Sequence, residues 1–222
     1  YIAENLYIDN LFSNKGAYAL NHLKDRGLSI ETIKKFKIGY AFNEWNQLVK
    51  RCKGKGFTKQ SVEKSGLFIN SDKGVFDRFR SRIMFPIHHL SGKTIGFGAR
   101  IFDSEDPAKY LNSPETPVYK KSDVLYGLKD SRNSILKEGY AILVEGYMDF
   151  LQLYQAKIYP VVAVSGTAFT ERHALAFKRI TKKVILLYDG DDAGGNAVIK
   201  AGWVMLRLGI EPCVVRPPKG KD

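Results

Sequence analysis

From residue 140 onward, short apolar runs alternate with stretches of helical periodicity. The runs are rich in β-branched residues, which is typical of strands buried on both faces of a parallel sheet. The clearest helical pattern begins near Ala197 and stops at Gly209. This strand–helix alternation predicts a Rossmann-like parallel sheet. The predicted strands are 140–144, 159–165, 183–188 and 212–215.

The preceding residues show a mixed pattern. Apolar positions in residues 1–66 follow helical spacing, and the predicted helices are 15–26, 29–36, 46–52 and 58–65. Residues 67–102 alternate between apolar and polar positions, which predicts antiparallel strands at 67–70, 75–79, 81–90 and 94–101. Residues 103–139 read as a long connection with little regular structure. We therefore predict a mixed α+β subdomain over residues 1–137, followed by the parallel-sheet subdomain over residues 138–222.

Acidic side chains follow two of the predicted parallel strands where each strand ends. Glu145 comes directly after strand 140–144, and Asp189 and Asp191 follow strand 183–188. In an open parallel sheet, ligands bind outside the carboxyl ends of the strands. Carboxylates this dense repel one another, and a hard cation such as Mg²⁺ favours one or two carboxylates together with substrate phosphates. The sequence predicts a magnesium site at this edge and requires the two strands to be neighbours.

The net charge of +12 is concentrated in the first subdomain. Residues 1–137 carry 24 basic and 14 acidic side chains, whereas residues 138–222 carry 11 and 9. A basic surface of this kind favours a polyanion such as nucleic acid, although a solvated surface that only promotes solubility explains the same count.

Cysteine, histidine and hydropathy exclude several classes of protein. The two cysteines, Cys52 and Cys213, are too few for a disulfide framework or a four-cysteine zinc site, so we expect reduced thiols and no zinc. The four histidines lack the spacing of metal ligands. No apolar stretch approaches the roughly 20 residues of a membrane span. Because the chain begins at Tyr1 and stops at Asp222 within an apparent loop, we expect a segment of a longer protein.

Three arginines recur at alternate positions in the predicted strands. Arg78, Arg80 and Arg82 would project from one face if a single strand carried them all. Neighbouring guanidinium groups repel unless an anion lies among them, and phosphate matches their bidentate geometry. This pattern predicts a phosphate-binding face. The alternative is that each arginine pairs with a nearby acid such as Asp77.

Two acidic motifs resemble the Toprim fold, which bacterial primases, topoisomerases and some nucleases share. The motifs are Val144-Glu145-Gly146-Tyr147-Met148-Asp149 and Tyr188-Asp189-Gly190-Asp191-Asp192-Ala193-Gly194, and Lys219-Gly220-Lys221-Asp222 is similar to the start of a third. Upstream motifs resemble the DnaG-type bacterial replicative primases in order. These include Phe79-Arg80-Ser81-Arg82, Gly96-Phe97-Gly98-Ala99-Arg100, Lys109-Tyr110-Leu111-Asn112-Ser113-Pro114 and Leu125-Tyr126-Gly127.

The resemblance implies an RNA-polymerase core that synthesises short RNA primers on single-stranded DNA from NTPs. It implies Mg²⁺ or Mn²⁺, in two or more ions, as the cofactor, and the cytoplasm, at the nucleoid and replication fork, as the location. The partners it implies are the DNA template, NTPs, the RNA primer and, through a C-terminal domain outside this chain, the replicative helicase. A membrane partner is not expected.

The same resemblance assigns roles to particular residues. Glu145, Asp189 and Asp191 are the expected catalytic residues and metal ligands, with Asp222 as a further ligand; Glu145 could instead act as a general base. The residues expected to bind nucleotide or nucleic acid are Arg78, Arg80, Arg82, Arg100, Lys109, Asn112 and Lys121.

Two alternatives stay open from the residues. One is the Toprim domain of a topoisomerase or nuclease, which shares the carboxylates but needs a reactive tyrosine or a nuclease partner site. The other is a nucleotide-binding regulatory module without turnover. Asp149 could equally cap a helix, and Thr170 is expected to be the N-cap of the helix that follows it.

Overall fold

The structure, a computed structural model, describes residues 1–102 and 107–216. The chain divides into two compact units, each described by itself below. The first comprises Tyr1–Ile87 and Thr94–Tyr119, and the second comprises His88–Lys93 and Lys120–Asp222. These limits describe compactness only, and the domain boundary between residues 137 and 138 stays a prediction.

The first unit combines short helices with antiparallel strand pairs, as predicted. Its main sheet has the order β1-β4-β5-β6, and β2 and β3 form a separate hairpin. The pairs β1–β4, β5–β6 and β2–β3 are antiparallel. The helices are α1 (Ile2–Phe12), α2 (Ala17–Asp25), α3 (Ile30–Lys35), α4 (Gln47–Cys52) and α5 (Lys59–Lys64); the strands are β1 (Gly39–Ala41), β2 (Phe68–Ser71), β3 (Gly74–Asp77), β4 (Arg82–His88), β5 (Thr94–Ile101) and β6 (Tyr110–Asn112).

Side-chain caps set the starts of two helices in this unit. The Ser29 hydroxyl accepts a hydrogen bond from the Thr32 N–H at 3.1 Å, at the start of α3. Thr58 caps α5 in the same way through the Ser61 N–H. Such caps satisfy N–H groups that the first helical turn leaves unpaired. The helices predicted at 29–36 and 58–65 are therefore confirmed.

The second unit contains the predicted parallel sheet. Its strand order is β10-β9-β7-β8, and all three neighbouring pairs are parallel. The helices are α6 (Leu128–Glu138), α7 (Tyr147–Gln155), α8 (Glu171–Lys178) and α9 (Asp192–Arg207); the strands are β7 (Tyr140–Val144), β8 (Val161–Ala163), β9 (Lys183–Leu187) and β10 (Glu211–Val215). Leu143, Leu186 and Phe177 are fully buried in the core of this unit. The Rossmann-like α/β class is confirmed.

The expectation for residues 103–139 was wrong. In the part of this segment that the structure describes, β6 pairs with β5, and α6 forms an eleven-residue helix. The helix buries Ile135 and begins and ends beside Gly127 and Gly139, both in the left-handed conformation. Few apolar positions mark this helix, so periodicity alone missed it.

None of the helices in the described ranges is long and apolar enough to cross a membrane.

Candidate active site

The two strands that carry the acidic residues are neighbours. β7 and β9 pair in parallel, with Leu143 opposite Leu186, so both strands end at the same edge of the sheet. Glu145 follows β7 and Asp189 follows β9, and the Asp189 N–H donates to Glu145 Oε1 at 3.2 Å. The predicted adjacency is confirmed, and it follows from the parallel pairing of two short apolar strands.

Glu145 lies in an unfavourable environment for a negative charge. Burial raises the pKa of its carboxyl group, and the nearby charge of Asp189 raises it further, with smaller contributions from Asp191 and Asp149. The hydrogen bond from the Asp189 N–H acts in the opposite direction. A cation placed among these groups would remove the repulsion and favour the charged carboxylate.

Two of the acidic residues cap helices. Asp191 is the N-cap of α9, and its Oδ1 accepts a hydrogen bond from the Gly194 N–H at 2.7 Å. Asp149 Oδ2 accepts from the Gly146 N–H at 2.8 Å at the start of α7. The capping alternative for Asp149 is thus confirmed. Asp191 has a structural function at the same edge where a metal role is predicted for it.

Gly194 allows the start of α9 to lie against the end of β9. A Cβ at this position would lie 2.3 Å from the Asp189 carbonyl oxygen and 3.0 Å from Glu145 Oε1. No side chain fits in that space without a shift of the backbone. The glycine therefore fixes how closely α9 approaches both carboxylate-bearing segments.

The donor set at this edge suits a hard divalent cation, since it consists of carboxylate oxygens. Within residues 1–102 and 107–216, however, no three acidic, histidine or cysteine side chains converge as a preformed metal site. Asp222 lies outside the described residues. The metal roles of Glu145, Asp189, Asp191 and Asp222 therefore remain predictions, supported by the chemistry of the donors and the proximity of Glu145 and Asp189.

The arginine series in the first unit does not share one strand. β3 ends at Asp77 and β4 begins at Arg82, and Ser81 between them has a φ of 49°. The left-handed residue breaks the alternation that would have placed all three guanidinium groups on one face. The prediction of a common strand face was wrong, whereas the phosphate-binding roles stay predictions.

The three arginines have distinct surroundings. Arg82 as a whole residue is only 2% exposed, and its guanidinium group donates to the Ala108 carbonyl oxygen at 2.9 Å. Arg80 donates to the Asp77 carbonyl oxygen and stacks over Trp45, 4.0 Å from the ring centroid. Arg78 is half-buried, and its Nε has no hydrogen-bond partner within the described residues.

These hydrogen bonds do not join any of the three arginines to the Asp77 carboxylate, as the alternative expected. The two carboxylate oxygens of Asp77 accept from the Leu48 N–H at 2.7 Å and the Val49 N–H at 2.9 Å, at the start of α4. Burial raises the pKa of Asp77, and these backbone hydrogen bonds and the charge of Arg80 lower it. Asp77 therefore stabilises a helix start, and its hydrogen bonds explain why a buried carboxylate is tolerated there.

Arg100 and Asn112 lie on adjacent strands. β5 and β6 pair Gly98 with Asn112 and Arg100 with Tyr110, and Lys109 immediately before β6 is exposed. Arg100 Nη1 lies 3.2 Å from His22 Nε2. This part of the first unit therefore places three of the predicted binding residues along one pair of strands.

Three features of the two units were missed from sequence. Trp45 is 59% exposed and supports the Arg80 side chain. Ser113 Oγ accepts from the Phe97 N–H at 2.9 Å, which joins the Asn-Ser-Pro motif to β5. In the second unit, His173 is wholly buried and contacts the turn that carries Lys121. The only sequence signal for the role of Trp45 was an isolated tryptophan in a polar segment, and no periodic pattern marked Ser113 or His173.

Comparison with known proteins assigns both halves of the chain. Residues 6–132 match the family model described as DNA primase catalytic core, N-terminal domain, and residues 142–222 match a Toprim-like model. A DNA primase of Clostridium acetobutylicum is 40% identical over 220 residues, covering 99% of this chain and 36% of that protein. The chain thus spans about a third of the length of the curated relatives it matches.

Solved structures show the same similarity. The RNA polymerase domain of Mycobacterium tuberculosis primase DnaG superposes with a TM-score of 0.92 at 34% identity, covering 99% of this chain and 74% of that one. A DnaG primase catalytic domain bound to single-stranded DNA gives a TM-score of 0.90 at 37% identity, covering 99% and 70%. Since the primase model matches the half outside the Toprim-like region, the topoisomerase and regulatory-module alternatives are not favoured.

Proposed function

The chain belongs to the family of DNA primase catalytic cores, and on that premise we propose that it forms part of an enzyme that synthesises RNA primers on single-stranded DNA. The observation that carries the proposal is the proximity of Glu145 and Asp189 at the carboxyl edge of neighbouring parallel strands. The similarity to a primase catalytic domain whose structure contains single-stranded DNA supports a DNA template as partner.

The acidic edge would hold the divalent ions. Glu145, Asp189 and Asp191 are the proposed catalytic residues and metal ligands, with Asp222 as a further ligand. Mg²⁺ or Mn²⁺, in two or more ions, would neutralise the charge that develops on the attacking and leaving oxygens of nucleotidyl transfer. The raised pKa of Glu145 is compatible with a ligand that is stabilised by a cation and also with a general base. We favour the ligand role.

The basic side chains would bind phosphate. Arginine offers a rigid pair of donors and lysine a compact point charge, and contacts of both kinds fix a strand without reading its sequence. The proposed contacts for the triphosphate, the primer or the template are Arg78, Arg80, Arg82, Arg100, Lys109, Asn112 and Lys121. The protein would act in the cytoplasm at the nucleoid and replication fork, together with the replicative helicase.

Primer synthesis by a variant at the acidic edge tests the proposed reaction. Asp189→Asn keeps the size of the side chain and removes its charge. Loss of a metal ligand is expected to cost several kcal/mol of transition-state stabilisation, or roughly 100-fold or more in Mg²⁺-dependent synthesis from NTPs on single-stranded DNA. Glu211→Gln is the matched control, because Glu211 begins β10 and lies at the amino end of the strands, away from the carboxyl edge that carries Asp189. Full activity in Asp189→Asn would refute the assignment.

Salt dependence tests the proposed phosphate contacts. Each cation that neutralises a phosphate of a single strand contributes about −0.7 to the slope of log affinity against log salt. Arg80→Gln should therefore make the slope for a single-stranded oligonucleotide shallower by about 0.7. Lys73→Gln, in the exposed turn of the β2–β3 hairpin, should leave it unchanged. An affinity that does not change with salt in the unmodified protein would contradict the proposed backbone contacts.

A further inference from the structure

The short turn that carries Lys121 is attached to the start of α8 by three side chains. Thr170 Oγ1 donates to the Ser122 carbonyl oxygen at 2.7 Å, and His173 Nε2 lies 3.1 Å from the Lys121 carbonyl oxygen. Arg172 forms an ion pair with Asp123 at 2.8 Å. The turn is a single 3₁₀ segment, Lys121–Asp123, so hydrogen bonds of its own do not determine its position.

His173 is arranged as a neutral donor. Its ring is 0% exposed, and Nδ1 accepts a hydrogen bond from the Thr170 N–H at 3.3 Å. With Nδ1 as acceptor, Nε2 carries the proton and donates it to the Lys121 carbonyl. Burial lowers the pKa of the ring, although hydrogen bonds to the carbonyls of Lys121 and Val124 and the charge of Asp123 act in the opposite direction. Both ring nitrogens are satisfied only when the ring is neutral.

These contacts exceed what the helix needs. As the N-cap of α8, Thr170 has only to accept the hydrogen bond from the His173 N–H, which it does at 3.2 Å. The donations to the carbonyls of Lys121 and Ser122 instead reach a segment about fifty residues earlier in the chain. They hold main-chain oxygens on consecutive residues and therefore fix the backbone from which the Lys121 side chain departs.

We propose that His173 and Thr170 are positioning residues that fix the main chain at Lys121 so that its ammonium group binds a phosphate of the nucleotide or nucleic acid. The proposal rests on the proposed function, in which Lys121 binds phosphate. A lysine side chain loses much rotational freedom on binding, and a fixed backbone reduces the additional ordering that binding requires. A turn without these anchors would bind the same phosphate more weakly.

A double-mutant cycle on triphosphate binding tests this coupling. Affinity for a fluorescent ATP analogue with Mg²⁺ is measured for the unmodified protein, Lys121→Ala, His173→Leu and the double variant. Each single change should weaken binding by about tenfold, the size expected when one charge-assisted contact is lost. The double variant should be no weaker than Lys121→Ala alone, because His173 acts through Lys121. His173→Gln, whose amide can replace the Nε2 donor, should restore most of the affinity.

Thr170 supplies a second comparison if His173→Leu proves unstable by circular dichroism. Thr170→Ser keeps the hydroxyl and both of its hydrogen bonds, whereas Thr170→Ala removes them. The Thr170→Ser protein should bind the analogue as the unmodified protein does, and the Thr170→Ala protein should bind it more weakly only while Lys121 is present.

Three results would overturn the proposal. Additive losses in the cycle, or binding unaffected by His173→Leu and Thr170→Ala while Lys121→Ala weakens it, would show that the anchors do not act through Lys121. If the unmodified protein bound neither the analogue nor single-stranded DNA, the proposed function itself would fail, and the inference would fail with it.

Discussion

Two adjacent glycines at the start of α9 should respond to alanine in opposite directions. At Gly194 a methyl group would lie 2.3 Å from the Asp189 carbonyl oxygen and 3.0 Å from Glu145 Oε1, whereas at Gly195 it would meet nothing within 4 Å. Both residues lie in the first turn of the same helix. The pair therefore separates the steric effect at the acidic edge from the helix propensity of alanine.

The expected magnitudes follow from these distances. An atom forced into packed surroundings costs about 1–3 kcal/mol, and displacement of the Gly194 N–H would also weaken its bond to Asp191, a cap worth about 0.5–2 kcal/mol. The higher helix propensity of alanine stabilises the folded protein by up to about 1 kcal/mol relative to glycine. Gly194→Ala should therefore lower the free energy of unfolding by about 1–3 kcal/mol, and Gly195→Ala should raise it by up to about 1 kcal/mol.

Urea unfolding followed by tryptophan fluorescence measures the difference. The chain has two tryptophans, and Trp203 lies on α9, so a Trp45→Phe background makes the signal report on that helix. The same proteins are then titrated with Mn²⁺, and Gly194→Ala should show the weaker binding, since its methyl group disturbs both Glu145 and Asp189. The reasoning is refuted if Gly194→Ala is as stable as Gly195→Ala.

Three further outcomes are expected. Burial and the charge of Asp189 raise the pKa of Glu145 in the folded protein, so stability is lost as the pH rises from the ordinary pKa of a glutamate to this raised pKa. Glu145→Gln should therefore raise the metal-free melting temperature at neutral pH and abolish the further rise caused by Mg²⁺. An unchanged response to Mg²⁺ would count against the metal site. The pKa of His173 is lowered in the folded protein, so the unfolded chain binds more protons just below pH 6.5. The free energy of unfolding should therefore fall as the pH drops from 6.5 towards the pKa of the folded state, and His173→Gln should flatten this pH profile. Parallel pH profiles of the two proteins would exclude this linkage. Leu143→Ala, at a fully buried position, should cost about 2–5 kcal/mol in chemical denaturation, while a loss under 1 kcal/mol would mean that the core relaxes around the cavity.

The acidic edge could be predicted from sequence because few local rules determine it. Short apolar runs form parallel strands, and the residues that follow them meet at one edge of the sheet. Glu145 and Asp189 needed no further information to be placed together. The capping hydrogen bond of Asp191 was harder to predict from sequence, since an acidic residue before a helix can serve either as an N-cap or as a metal ligand.

The arginine series shows where local reasoning fails. Alternation predicted a common face for Arg78, Arg80 and Arg82, but Ser81 adopts a left-handed backbone conformation, which a serine in this sequence gives no reason to expect. Tertiary contacts stabilise that conformation: the Ser81 carbonyl accepts from the Phe102 N–H, about twenty residues away. No window of sequence around the arginines contains that information. The contacts between α8 and the Lys121 turn join equally distant segments and were inaccessible for the same reason.

The pairing of Tyr126 with Ala163 has a consequence for solubility during folding. The two residues exchange both backbone hydrogen bonds in an antiparallel bridge beside β8, and the buried Tyr126 ring packs against Tyr147 and Phe150. An uncovered strand edge presents a row of backbone donors and acceptors to which another chain can add. By covering part of this edge with a residue anchored in its own core, the chain disfavours intermolecular strand addition there. A variant that loses the aromatic anchor should therefore aggregate more readily even where Glu145 and Asp189 are intact.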